Sequence, residues 1–158
     1  MKNILNLIVF LIPTIFFSQS ISSALHVNEP YKINQKKAIK KIETNTVFYN
    51  RQNQEKIKEI NYLNERFRTV QIERYNEEGE MIFSMQNEYL SDTLKVKSTT
   101  VRTIPLIGNE IVHTTYEYDA QSFLTKIIKR SQNNTIFETV HLQNDDRGNP
   151  ILLYLNNG

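Results

Sequence analysis

From residue 42 onward, apolar and polar side chains alternate with a period of two, and Gly, Asn, Asp or Pro interrupts the alternation at short intervals. Successive side chains of a strand point to opposite faces, so this pattern predicts an all-β chain. Eight strands are expected after residue 55, at 56–63, 67–75, 80–89, 93–104, 110–118, 123–130, 135–143 and 151–155. Ahead of them, Ala38, Ile39 and Ile42 have helical spacing. The β-branched and aromatic run Thr44, Thr46, Val47, Phe48 and Tyr49 instead favours a strand from Ile42. Within the strands the faces separate. Met81, Phe83, Met85 and Tyr89 lie opposite Ser84, Gln86 and Glu88, while Val112, Tyr116 and Tyr118 lie opposite His113, Thr115 and Glu117. One face of each strand is therefore expected to be buried and the other wet. The last strand differs. Ile151, Leu153 and Leu155 point one way, Leu152 and Tyr154 the other, and both faces need cover.

The interruptions are turn chemistry. A short phrase recurs: Tyr49-Asn50-Arg51-Gln52-Asn53, Tyr75-Asn76-Glu77-Glu78-Gly79, Tyr118-Asp119-Ala120-Gln121-Ser122 and Asn144-Asp145-Asp146-Arg147-Gly148. Each places a residue that tolerates positive φ three positions after an Asn or Asp. The first two phrases, and the last two, are 26 residues apart, whereas Tyr75 and Tyr118 are 43 apart. Short connections pair sequential strands antiparallel. The expected architecture is an antiparallel meander of about eight strands, built from repeated β-hairpins as a curved open sheet or half-barrel.

The N-terminus changes the picture of where the chain works. Lys2 is the only charge before His26, residues 4–17 are nearly all apolar, and Ser18, Ser20 and Ser22 supply small residues for cleavage. This is the pattern of a secretory signal peptide, shorter than a spanning helix needs. A cleaved signal over 1–20, a polar and basic lead over 21–41 and a repeat domain over 42–158 are expected, with a secreted or periplasmic location. The chain has no cysteine, which excludes both a cysteine-linked lipid anchor and disulfides. Net charge is only +2, so no global field steers nucleic acid or an acidic substrate to it.

Candidate chemistry is sparse. His26, His113 and His141 are dispersed, and a metal site would need carboxylate partners beside them. The loop from Asn144 to Asn149 carries oxygen ligands suited to calcium, but Asn and Asp more commonly cap their own turns. Glu77-Glu78 sits at a wet turn tip. The basic run Lys36, Lys37, Lys40 and Lys41 reads as a solvated segment or a contact for an anionic surface. Asn133-Asn134-Thr135 and Asp92-Thr93-Leu94 match short glycan-acceptor patterns. Neither a Ser-His-Asp order with a nucleophile elbow nor a glycine-rich phosphate loop is present. No catalytic residue, metal or cofactor is expected.

The phrases at Tyr75, Tyr118 and Asp145 resemble YD repeats, the units of RHS-type and wall-associated bacterial surface proteins. The resemblance covers roughly residues 42–155. It departs from the pattern at Asn50 and Asn76, where Asp is usual, at Ser122, where Gly is usual, and at Asn144, where Tyr is usual. It implies a non-enzymatic β-scaffold or binding module at the envelope. The alternative is a periplasmic carrier that holds a lipid or other hydrophobe on a concave face. The expected partner is a second copy or another β-repeat chain, joined through the edge strand at Ile151 to Leu155.

Overall fold

The computed structural model describes residues 27–30, 39–49 and 54–157. The expected signal segment, most of the lead, His26, Lys36, Lys37, Asn50 and Asn53 lie outside the described residues. Nine antiparallel strands form one sheet: β1 (Lys41–Tyr49), β2 (Gln54–Leu63), β3 (Thr69–Tyr75), β4 (Met81–Leu90), β5 (Leu94–Ile104), β6 (Gly108–Tyr118), β7 (Leu124–Ser131), β8 (Ile136–Asn144) and β9 (Pro150–Asn157). They pair strictly in chain order, so the sheet is a meander. It does not close into a barrel, and β1 and β9 are its edges. The count is nine because the Ile42 segment joins the eight later strands. No helix among the described residues is long and apolar enough to cross a membrane.

Directly opposed residues of an antiparallel pair share a face, so the register defines two faces. On the first, Tyr116 opposes Ile127, Ile127 opposes Val140, and Val140 opposes Leu155. Leu142 opposes Leu153 in the next row. Ile127, Val140 and Leu142 form a buried cluster, with Tyr116, Leu124, Leu153 and Leu155 packed on it. Val140 is the most enclosed, 2% exposed. Each such aliphatic contributes about 1.5–3 kcal/mol by leaving water. Toward the middle of the sheet the same face turns polar. Asn87 opposes Ser98 and Ser98 opposes Thr114, and all three are buried, as is Asn61 in β2. On the second face Ile60 and Ile128 are buried, among ion pairs such as Lys58–Glu43 at 2.8 Å and Lys126–Glu117 at 3.4 Å.

Residues 27–30 lie against the first face. The Lys95 N–H donates to Asn28 Oδ1 at 2.9 Å, and Asn28 Nδ2 donates to the Tyr118 hydroxyl at 3.1 Å. A segment far away in sequence thus ties β5 to β6.

Candidate functional site

Three of the recurring phrases make one and the same turn. In the turn at Asn76 the residue's N–H donates to the Glu80 carbonyl at 3.0 Å, Gly79 N–H returns to the Asn76 carbonyl, and Glu80 N–H donates to Asn76 Oδ1 at 2.8 Å. Asp119 with Ser122 and Phe123, and Asp145 with Gly148 and Asn149, repeat that scheme. The fourth residue is left-handed in each, with φ of 80° at Gly79, 67° at Ser122 and 79° at Gly148. This is a turn that ends in a left-handed residue and a bulge, and the strand registers shift beside it at Arg74/Tyr75, Glu117/Tyr118 and Gln143/Asn144. The Asn149 side-chain and backbone N–H groups hold the Asp145 carboxyl below its ordinary range. Asp145 thus spends its carboxylate on its own turn.

Two further turns have this form: one at Asn64, where no turn motif was expected, and one at Ser131–Thr135, where Gln132-Asn133-Asn134 was expected to separate two strands. Asn64 accepts from Arg66 N–H and Arg68 N–H through Oδ1, with Phe67 left-handed at φ 57°. Ser131 to Thr135 follows the same backbone scheme, with Asn134 at φ 64°. Phe67 therefore belongs to a turn, and β3 begins at Thr69 instead of at residue 67. The signal for the first was Asn64 directly after a strand, hidden because Phe occupies the place where Gly is usual.

The repeat residues do not converge on one place. Tyr75, Asn76 and Gly79 lie at one end of the sheet, as does Tyr49. Tyr118, Asp119, Ser122, Asn144, Asp145 and Gly148 lie at the other. A turn returns to the same end after two strands, which fits a spacing of 26. The 43-residue gap spans β4, β5 and β6, and three strands change ends.

The C-terminal edge is an exposed apolar element. Ile151, Leu152 and Tyr154 are 63%, 51% and 53% exposed, while Leu153 and Leu155 pack on the core cluster. Tyr154 stacks on His141 with centroids 4.6 Å apart. β9 contains no charged residue. The opposite edge, β1, carries Lys41 and Glu43 and pairs Glu43 with Lys58. Exposed edge strands template association unless charge or Pro blocks it; β1 carries charge in its first three residues, whereas β9 carries none and has Pro only at its first position.

Clefts lie at both ends. One of about 720 Å³ sits beside β1, β2 and the Asn76 turn. Val47, Ile57, Ile60 and Tyr75 share its wall with Lys56, Lys58 and Glu77, and Lys56 Nζ lies 2.7 Å from Glu77 Oε1. The histidines of β6 and β8 share the second face, where His113 opposes Arg130 and His141 opposes Lys126. His113 Nδ1 lies 3.2 Å from Thr99 Oγ1.

The remaining cluster is on the first face. Lys95 Nζ lies 5.9 Å from the Tyr89 ring centroid and 5.8 Å from that of Tyr116. The Tyr118 hydroxyl donates to the Lys95 carbonyl at 2.6 Å, and the Tyr89 hydroxyl donates to the Thr69 carbonyl at 2.9 Å. Burial lowers the Lys95 ammonium to about 8 and pushes the Tyr89 phenol up to about 12. The Tyr116 phenol is likewise raised by burial. Sequence reasoning assigned Lys95 no role. The chain matches no family model, and no curated protein or solved structure is similar to it.

Proposed function

We propose that the chain is a non-enzymatic β-repeat scaffold or binding module of the cell envelope, secreted or periplasmic after cleavage of its N-terminal segment. It works by adding its C-terminal edge to another β-chain, a second copy or a chain of similar repeats. The observation that carries this reading is β9: apolar, uncharged and, among the described residues, paired on one side only. An added strand would gain a ladder of main-chain hydrogen bonds, and Leu152 and Tyr154 would gain cover. The YD-like turns support a repeat scaffold, since hairpins of one design extend a sheet without a closed core.

Sedimentation of the purified chain and of its Leu152→Lys/Tyr154→Lys variant tests the reading. Association in the first and loss of it in the second, with unchanged β-sheet circular dichroism, is the expected pair of results.

A second reading, a carrier for a hydrophobic ligand, is favoured by the cleft of about 720 Å³ with Val47, Ile57, Ile60 and Tyr75 in its wall. Lys56, Lys58 and Glu77 make that wall half polar, which suits an amphiphile better than a hydrocarbon. Saturable fluorescence of a lipid analogue, lost in Ile57→Glu, would support the carrier.

A further inference from the structure

We propose that the patch formed by Arg68, Tyr89, Lys95 and Tyr116 on the first face is a binding site for a small oxyanion, a phosphate or a carboxylate group. Two cationic side chains here are at least partly withdrawn from water without the carboxylate partner that many of the chain's other lysines have. Lys56, Lys58, Lys97, Lys126 and Lys129 each meet a carboxylate at 2.6 to 3.4 Å, and Arg74 meets Glu59 at 2.6 Å. Among the described residues no carboxylate forms an ion pair with Arg68 or Lys95. The Nε and Nη1 atoms of Arg68 are buried with no acceptor among the described residues. Donors of this kind are costly to leave unmade, and such exceptions point to an ion or water. Lys95 Nζ is held between two rings that supply no formal charge, since both phenols remain protonated at neutral pH.

The groups are contiguous. Arg68 precedes Thr69, whose carbonyl accepts from both Asn87 Nδ2 at 2.7 Å and the Tyr89 hydroxyl at 2.9 Å. The Tyr89 ring then borders Lys95. The Arg68 charge is close enough to Tyr89 to oppose the effect of burial on that phenol. Asn87 Oδ1 is also buried and without a donor among the described residues, which suits a hydroxyl or a water beside the anion. A guanidinium recognises an oxyanion through paired N–H groups and an ammonium adds a point charge. The lowered ammonium of Lys95 agrees, because a desolvated cation with no counter-ion is what a bound anion would stabilise. The site lies on interior strands and the β2–β3 turn, away from β9, so it stands apart from edge pairing.

The full chain, ¹⁵N-labelled, is titrated with inorganic phosphate, glucuronate, chloride and glucose while the Arg68 Nε–H and the backbone N–H groups of residues 87–95 are followed by NMR. Saturable shifts confined to these groups with phosphate or glucuronate, but not with chloride or glucose, are expected, and the better oxyanion identifies the source. Arg68→Gln and Lys95→Gln should each weaken binding about tenfold. Absence of saturation with both oxyanions overturns the proposal, as does unchanged binding in the two variants. Should either variant unfold, Arg68→Lys and Lys95→Arg keep the charge, and the wild-type titration alone remains decisive.

Discussion

At the scale of the residue, the space around the missing Cβ separates glycines that look alike in sequence and share the sign of φ. Gly79 and Gly148 are both left-handed, but a Cβ at Gly79 meets nothing within 4 Å, whereas one at Gly148 would meet Phe123 ring carbons. Gly79→Ala should cost about 1–2 kcal/mol from left-handed strain alone. Gly148→Ala should cost roughly a further 1–3 kcal/mol because the Phe123 ring must move. Thermal melts of the two variants give the comparison, and equal losses would contradict the packing of Phe123 over Gly148. Lys95 gives a second test. Its folded ammonium titrates near 8, below the ordinary 10.5, so the unfolded chain holds more protons between those values. Stability contributed through Lys95 therefore rises from pH 8 toward 10. Tyr89 works in the opposite sense: its phenol is raised to about 12, so its contribution falls once pH exceeds the ordinary 10. Denaturant midpoints should climb from pH 7.5 to 9.5 in the wild type, and Lys95→Gln should flatten the climb.

At the scale of the element, much was legible because alternation and turn chemistry agree. The strands were placed within a few residues, and Asn76, Asp119 and Asp145 were correctly paired with Gly79, Ser122 and Gly148. One cause of failure is that bulges reset the alternation. Glu88 opposes Lys97 but Tyr89 opposes Lys95, so one step on β4 matches two on β5. Lys95 thereby reaches the tyrosine side of the sheet, although by parity it belongs with Lys97. The buried row Asn87, Ser98 and Thr114 was equally hidden, since a polar residue on the core side reads as a wet position until its neighbours are known. Phe67 and Leu106, left-handed at 57° and 69°, occupy places where Gly or Asn is usual, and no propensity scale foretells them. The turns yield a prediction. The Asp119 carboxylate accepts from Gln121 and Phe123 N–H at 3.0 and 2.8 Å. Asp119→Ala should cost about 1–2 kcal/mol and Asp119→Asn much less, because the amide oxygen keeps both bonds. If Asn is as costly as Ala in urea denaturation, charge and not the turn is what Asp119 supplies.

At the scale of the whole molecule, a nine-strand single sheet with so small an apolar cluster leaves its edges as its most reactive feature. β1 presents charge along with Phe48 and Tyr49, and β9 presents none. Both ends carry turns closed by a side-chain oxygen, Asn76 at one and Asp119 and Asp145 at the other, while Leu106 and Ile107 stand exposed at the Asn76 end. Function by pairing at β9 is the central claim. Sedimentation equilibrium of the chain from Val27 onward, across micromolar concentrations, is its most direct measurement. The account predicts reversible association that Leu152→Lys/Tyr154→Lys abolishes without loss of β-sheet signal. A monomer at every concentration, or a double variant that associates as the wild type does, would contradict it.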